Sequence, residues 1–254
     1  MNKWLSIWGI KQDATAEDFM KIKEAGFVGV EVWPEHKHAV QHLEYAQQNG
    51  LDIGLHLPFH DLNLASPFQA VEDLIFEENL TWFKLLQKYN GGHAVIHGGS
   101  AMASEYRKEA EALLIKRLSI QRAIAREHGV ELLFENQIPD GLNYMHIFPS
   151  SVEEWVSILH ETNTKACLDT GHLAVLGADL RETIEKLGDK LVSVHLSDND
   201  AKSDLHLMPG DGNNTSEGLE GILQANGYTG PVVFEINPYK YTLEEILQHP
   251  SVKA

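Results

Sequence analysis

The chain has 254 residues, 43% of them hydrophobic and 22% charged, and 37 acidic against 20 basic side chains give a formal net charge of −17. This length suits one large domain, and the composition is ordinary for a globular protein. The negative charge argues against nucleic acid as a partner, and no apolar run approaches the roughly 20 residues that span a bilayer. The first residues lack the long apolar segment of a signal peptide, and a single cysteine excludes an intrachain disulfide. We therefore expect a cytoplasmic protein without membrane contact.

Short β-rich runs alternate with amphipathic helical stretches along the chain. The predicted strands are Trp4–Trp8, Val28–Trp33, Asp52–His56, Ala94–His97, Val130–Glu135, Lys165–Asp169, Leu191–Leu196 and Pro231–Ile236. Helical patterns between them include Ala16–Ala25, Pro67–Tyr89, Ala103–His128, Val152–His160 and Asp179–Leu187. Near-continuous apolar strands that alternate with helices indicate parallel strands covered by helices. We predict the α/β class and a (β/α)8 TIM barrel, as a single domain of residues 1–254.

Three of the predicted connections that follow strands are long. They are Leu57–Ser66, Asn136–Ser150 and Ser197–Thr215, and Lys202 is the only Lys or Arg in them. The loops that follow the strands of a TIM barrel open on its catalytic face, so we expect function to lie there. Two glycine-containing turns, HGGS (97–100) and GDG (210–212), could cradle an anion or could be plain turns.

Titratable side chains close most of the predicted strands. They are Glu31, His56, His97, Glu135, Asp169, His195 and Glu235, and His172 follows Asp169 by one helical turn. Each alone could be a rim or core residue, but their recurrence at one end of the barrel indicates a shared site. A divalent cation would offset several carboxylates at once. We therefore expect a metal centre there. We expect the other histidines, including His42 and His93, at the surface, and we leave the role of His60 open.

Five segments resemble the xylose isomerase-like TIM-barrel superfamily. They are ENQ (135–137), CLDTGHL (167–173), HLSDND (195–200), DLHLMPGDG (204–212) and FEINP (234–238). This superfamily contains sugar (phosphate) isomerases and epimerases, and also the endonuclease IV-like AP endonucleases. The ordered motifs are specific for the superfamily but much less specific for one reaction.

The resemblance implies a set of metal ligands. In the epimerase branch, one divalent ion would be held by Glu135, Asp169, His195 and Glu235. Three carboxylates and one imidazole suit Mn²⁺, Mg²⁺ or Co²⁺, and Zn²⁺ is also compatible. In the endonuclease branch, a second and third ion would add His56, His97, His172, Asp204 and His206 as ligands. All nine positions carry the matching residue type.

The same residues suit proton transfer on a sugar. Glu135 and Glu235 are the predicted catalytic pair, one removing a proton beside a carbonyl and the other returning it. The predicted substrate-binding residues are His172, His56, His97, Trp8 and Trp33, with the tryptophans stacking on the sugar ring. The arginines all fall in predicted helices, which favours a neutral carbohydrate over a sugar phosphate. We expect a metal-dependent sugar or polyol isomerase or epimerase.

Three alternatives stay open. The first is an endonuclease IV-like metallophosphoesterase acting on abasic DNA, and the second is a metal-dependent lyase or dehydratase acting on a keto sugar. The third is a barrel that binds a sugar without catalysis. The sequence also leaves open the substrate, the carbon that reacts, the metal and whether the chain forms a homo-oligomer.

Overall fold

The computed structural model describes residues 1–102, 106–142 and 144–253. Their strands are β1 (Asn2–Ser6), β2 (Gly29–Val32), β3 (Asp52–His56), β4 (His93–Ile96), β5 (Ser100–Met102), β6 (Glu131–Glu135), β7 (Met145–Ile147), β8 (Lys165–Asp169), β9 (Leu191–Leu196) and β10 (Pro231–Phe234). Eight of them close into a barrel in the order β1, β10, β9, β8, β6, β4, β3, β2. Every neighbouring pair in the barrel is parallel. The predicted (β/α)8 TIM barrel is confirmed.

Helices cover the outside of the barrel. They are α1 (Ala16–Glu24), α2 (Ala39–Gln48), α3 (Gln69–Lys88), α4 (Arg107–Glu127), α5 (Val152–Thr162), α6 (Thr170–Leu176), α7 (Leu180–Leu187), α8 (Leu219–Ala225), α9 (Leu243–Gln248) and α10 (Pro250–Lys253). Four of the five helical patterns read from the sequence agree with α1, α3, α5 and α7 to within two residues. The fifth corresponds to α4, and its predicted start at residues 103–105 lies outside the described residues.

Side-chain caps set where several of these helices begin. Thr15 and Asp18 form a capping box at the start of α1. The hydroxyl of Ser151 accepts a hydrogen bond from the backbone of Glu154 at the start of α5, and such caps satisfy amide groups that have no partner inside the helix. None of the helices in the described part of the chain has both the length and the apolar character needed to cross a bilayer.

The strand ends differ slightly from their predicted bounds. The first strand stops at Ser6 because Ile7–Ile10 form a 3-10 helix, which places Trp8 beyond the strand. The fourth strand begins at His93 and ends at Ile96, so His97 follows it instead of closing it. Glu235 comes directly after β10, where its backbone N–H still donates to the carbonyl of Leu196.

Successive residues of a strand point to opposite faces, and here the two faces have different environments. Outward side chains such as Leu132 and Phe134 belong to the large core between strands and helices. Val95, Leu133 and Cys167 form a separate apolar cluster, on the alternate positions that face the barrel interior. The next inward positions towards the carboxyl ends of β6 and β8 are Glu135 and Asp169. The alternation therefore places acidic side chains at the mouth of the barrel.

The long predicted connections lie at this mouth, since each follows the carboxyl end of a barrel strand. The predicted loop Asn136–Ser150 contains β7, which pairs in antiparallel fashion with β5 from the loop after β4. The loop Leu57–Ser66 is attached to the helices by the guanidinium of Arg117, which donates to the carbonyls of Leu64 and Ser66. Tertiary contacts thus hold two of these loops in place.

Candidate metal centre

Four side chains converge at the carboxyl ends of neighbouring strands β6, β8, β9 and β10. They are Glu135, Asp169, His195 and Glu235, each at most 4% exposed. One oxygen or nitrogen atom of each lies within 4.8 Å of those of the other three. The structure thus brings together the four residues that the sequence analysis assigned to one metal ion.

His195 lies among the three carboxylates. Its Nδ1 is 2.8 Å from Oε2 of Glu235, 3.4 Å from Oε1 of Glu135 and 4.0 Å from Oδ2 of Asp169. Among the described residues, Oδ2 of Asp169 is buried and has no hydrogen-bond partner. A buried carboxylate oxygen without a donor is costly unless a cation binds it. The donor set therefore fits a divalent ion with a preference for oxygen ligands.

The pKa values of two carboxyl groups in this group are shifted in opposite directions, although burial raises both. Burial raises the pKa of Asp169 to about 6, although the charge of His172 partly opposes the shift. Burial would also raise the pKa of Glu135, but the neighbouring His97 and His195 outweigh it and hold that pKa well below its usual range. Glu135 is therefore ionised at neutral pH, as a ligand or a base must be.

Asn136 positions Asp169 through its side chain. The amide of Asn136 accepts a hydrogen bond from the backbone N–H of Asp169 at 2.7 Å and donates to its carbonyl at 3.0 Å. Oδ1 of Asp169 in turn accepts from the backbone of His172 at 2.6 Å and caps α6. This role of Asn136 was not predicted from the sequence, although Asn136 directly follows Glu135 in the ENQ segment.

A second group of potential ligands shares Glu135. Its Oε2 lies 2.9 Å from Nε2 of His97 and 3.4 Å from Nε2 of His56. Trp33 stacks on the His56 ring at 4.4 Å, and Phe59 lies 4.3 Å from the His97 ring. Aromatic packing therefore holds both imidazoles against the carboxylate.

A third group lies on the other side of the barrel mouth. Oδ2 of Asp204 is 2.8 Å from Nε2 of His206 and 3.3 Å from Nε2 of His172. Burial would lower the pKa of His206, but its hydrogen bond with Asp204 raises that pKa to about 9. With this group, all nine predicted ligand positions fall into three clusters that meet at one face.

A cavity of about 350 Å³ opens above these clusters. It is lined by Trp8, Trp33, His56, Phe59, His60, His97, Glu135, Gln137, Ile138, His172, Asp204, His206 and Glu235. The ring centroids of Trp8 and Trp33 are 5.8 Å apart in a stacked arrangement, which gives the cavity an aromatic wall. Small-molecule sites combine such apolar walls with a few converging polar groups.

Comparison with known proteins identifies the family. A family described as "Xylose isomerase-like TIM barrel" matches residues 19–250. The chain belongs to this family. The resemblance inferred from the five sequence segments is thereby confirmed.

The individual proteins to which this chain is similar are distant in sequence. An uncharacterized protein of Methanocaldococcus jannaschii is 29% identical over 198 residues, which are 76% of this chain and 67% of that protein. Inosose dehydratase of Clostridium perfringens is 22% identical over 279 aligned positions, covering 92% of this chain and 88% of the enzyme. The solved structure of a D-tagatose 3-epimerase-like protein is 25% identical, with a TM-score of 0.82, and covers 98% of this chain and 96% of its own.

The GDG turn of this xylose isomerase-like barrel binds an acidic side chain of the protein itself. The backbone N–H groups of Gly210 and Gly212 donate to Oδ2 of the buried Asp198, at 3.0 and 3.2 Å. In the HGGS turn, the N–H of Ser100 donates to the side chain of Asn63 at 2.9 Å. These amides are therefore engaged within the protein, and both turns serve to hold loops.

Positive charge is scarce around the cavity. No Lys or Arg is among its lining residues in the described part of the chain. Arg107, at the start of α4, pairs with Glu154 at 3.0 Å. The cavity walls thus offer neutral aromatic and amide groups together with the titratable clusters.

Two histidines that we expected at the surface are buried. His42 in α2 is fully enclosed, and His93 begins β4 with its ring inside the barrel. Glu31 is also inside, with Oε2 located 3.3 Å from Nε2 of His93. Room for the His93 ring comes from Gly54, since a Cβ there would lie 2.5 Å from Nε2 of His93. A glycine within the apolar strand DIGLH was the available signal, because strand glycines often mark a close approach.

Proposed function

We propose that this chain is a metal-dependent sugar or polyol isomerase or epimerase, formed as a single domain of residues 1–254. The observation that carries the proposal is the buried group of Glu135, Asp169, His195 and Glu235 beneath a cavity with an aromatic wall. The likeness to a D-tagatose 3-epimerase-like protein supports a carbohydrate as the substrate.

These four residues would hold one divalent ion. Such an ion, when bound, acts as a Lewis acid that polarises a carbonyl and stabilises negative charge developing on its oxygen. Mn²⁺, Mg²⁺ and Co²⁺ match the three carboxylates best, and Zn²⁺ is also compatible with the set.

Glu135 and Glu235 would carry the proton transfer. They come from β6 and from the end of β10, with β8 and β9 between them in the barrel. They therefore approach a bound sugar from different sides, so one carboxylate can remove a proton from carbon and the other can return it to the opposite face. Both also line the cavity, whereas Asp169 and His195 are not among its lining residues.

The remaining cavity residues would orient the sugar. The Nδ1–H of His172 donates to the carbonyl of Asn136 at 2.8 Å, which turns Nε2 towards Asp204 and the cavity. Trp8 and Trp33 offer flat faces on which the apolar side of a sugar ring can stack. His56 and His97 line the cavity next to Trp33.

The test measures metal content and proton exchange separately. Metal analysis should give bound Mn²⁺ in the wild type and a large loss in Asp169→Ala and His195→Ala. Incorporation of solvent deuterium into a panel of ketoses should fall by about 10²–10⁴-fold in Glu135→Gln and Glu235→Gln. Unchanged metal content in both alanine variants would contradict the metal assignment, and near-normal exchange in both glutamine variants would contradict the two-carboxylate mechanism.

Two other activities have specific support. The likeness to inosose dehydratase over nearly the whole chain favours loss of water from a keto sugar or polyol. The two further clusters around His97 and Asp204 favour a centre with up to three ions, which would suit phosphoester hydrolysis. Product analysis separates these possibilities, because dehydration changes the substrate mass by one water and isomerisation leaves it unchanged. Cleavage of an abasic-site duplex would favour phosphoester hydrolysis.

A further inference from the structure

One buried carboxylate has no part in the proposed reaction. Glu31 on β2 is fully buried and is not among the residues that line the cavity. Its Oε1 lies 3.0 Å from Nε2 of His195, and its Oε2 lies 3.3 Å from Nε2 of His93. A buried carboxylate is costly without partners, and here His93 hydrogen-bonds one oxygen while the imidazole of His195 lies against the other.

This contact involves the ring nitrogen of His195 that faces away from the other ligands. Nδ1 of His195 lies 2.8 Å from Oε2 of Glu235 and Nε2 lies 3.0 Å from Oε1 of Glu31, although neither contact has the alignment of a hydrogen bond in this structure. A neutral imidazole carries its proton on one nitrogen, and only the other nitrogen can bind a metal ion. An ion bound at Nδ1 therefore requires the proton to be on Nε2, and Glu31 is the carboxylate next to that nitrogen.

Without Glu31, a different carboxylate would determine the position of this proton. The nearest remaining acceptor is Oε2 of Glu235, next to Nδ1. A proton on Nδ1 that is donated to Glu235 would occupy the nitrogen needed as a ligand. Metal binding would then have to displace that proton, which weakens the affinity.

Packing at the base of the barrel fixes Glu31. His93 contacts its second oxygen, and the indole of Trp4 lies 5.3 Å from the His93 ring. Both rings need glycines opposite them, because a Cβ at Gly29 would lie 2.3 Å from the Trp4 ring, and one at Gly54 would meet His93. These contacts leave the carboxylate of Glu31 little freedom to turn away from His195.

We propose that Glu31 is a positioning residue of the metal centre, which keeps Nδ1 of His195 free to bind the ion by accepting the proton on Nε2. The inference rests on the proposed function, because it assumes that His195 binds a metal. It adds a residue from the second strand, outside the four-residue ligand set. Carboxylates that orient metal-binding histidines typically change metal affinity by 10–100-fold when they are mutated.

The test compares Mn²⁺ affinity in metal-stripped protein by competition with a fluorescent chelator. Glu31→Gln keeps an acceptor oxygen but loses the charge, so its affinity should fall by about tenfold. Glu31→Leu removes the acceptor and should lower the affinity further, towards about 100-fold. Glu182→Gln is the control, because it makes the same change at an exposed carboxylate of α7 that pairs with Lys186. Its affinity should equal that of the wild type.

A spectroscopic readout separates this role from a general effect on stability. In Zn²⁺-loaded protein labelled with ¹⁵N-histidine, the Nε2–H of His195 should give a downfield proton signal that His195→Gln removes. That signal should move upfield in Glu31→Gln and stay unchanged in Glu182→Gln. If Glu31→Leu does not fold, Glu31→Gln decides the question by itself.

Two outcomes identify which idea fails. Mn²⁺ affinities of the Glu31 variants within about threefold of the wild type would overturn the role of Glu31 and leave the proposed function intact. A wild type that binds no Mn²⁺, Mg²⁺, Co²⁺ or Zn²⁺ would overturn the proposed function, and this inference with it.

Discussion

Replacing Arg117 by methionine should destabilise the barrel and release one of its catalytic-face loops. The guanidinium is 2% exposed and donates to Glu72 through Nε at 2.9 Å and Nη2 at 2.8 Å. Nη1 donates to the carbonyl of Leu64, at 2.9 Å, and to that of Ser66. Arg117→Met keeps much of the apolar stem but leaves one carboxylate and two carbonyl groups without their donor.

The expected magnitude follows from these contacts. Removing one partner of a buried ion pair costs about 3–5 kcal/mol. The side chain of Glu72 is 12% exposed, so water can reach it and the loss should be near the lower end of that range, about 3 kcal/mol. For a chain of this size, that corresponds to a fall in Tm of about 6–12 °C.

Urea unfolding measured on matched variants would test this reasoning. Arg117→Met should lower the free energy of unfolding, and the double variant Arg117→Met/Glu72→Leu should recover part of the loss because no buried carboxylate is left unpaired. A loss below about 1 kcal/mol in Arg117→Met would refute the argument, since that is the scale of an exposed ion pair. Failure of the double variant to recover would place the cost in the two loop carbonyls instead.

Three further predictions concern stability and substrate choice. Burial lowers the pKa of His42 to about 4, so the free energy of unfolding should fall between about pH 6.5 and 4, where the unfolded chain binds a proton that folded His42 does not. Urea unfolding of His42→Leu should lack this component; the same pH dependence in the variant would contradict it. Gly54→Ala should cost about 1–3 kcal/mol in thermal or urea unfolding, since the added methyl overlaps the ring of His93. Free ketoses should stabilise the protein in thermal-shift assays more than their phosphate esters do, because no Lys or Arg lines the described cavity; preference for the esters would show otherwise.

The order of strands and helices was readable from the sequence because it depends on local patterns. Runs such as Lys165–Asp169 and Leu191–Leu196 are apolar over the length of one strand, and the observed strands have the same bounds. The side chains closing such runs in a parallel barrel must meet at one end. That rule was enough to predict that Glu135, Asp169 and His195 would lie together.

Contacts between residues that are far apart in the sequence determined the features that local patterns did not predict. Whether His93 faces the interior depends on Gly54, which lies 39 positions earlier and leaves room for its ring. The backbone N–H groups of Gly210 and Gly212 in the GDG turn are engaged within the protein, because they donate hydrogen bonds to the carboxylate of Asp198. No local pattern encodes either contact.

The role inferred for Glu31 also depends on a contact that the sequence pattern does not reveal. The sequence by itself placed a carboxylate near the end of the second strand and a histidine near the end of the seventh. Only the closed barrel brings Oε1 of Glu31 to 3.0 Å from Nε2 of His195. The physical reason is that a barrel interior combines side chains from strands that are distant in sequence, so a contact across it depends on register and packing and not on spacing along the chain.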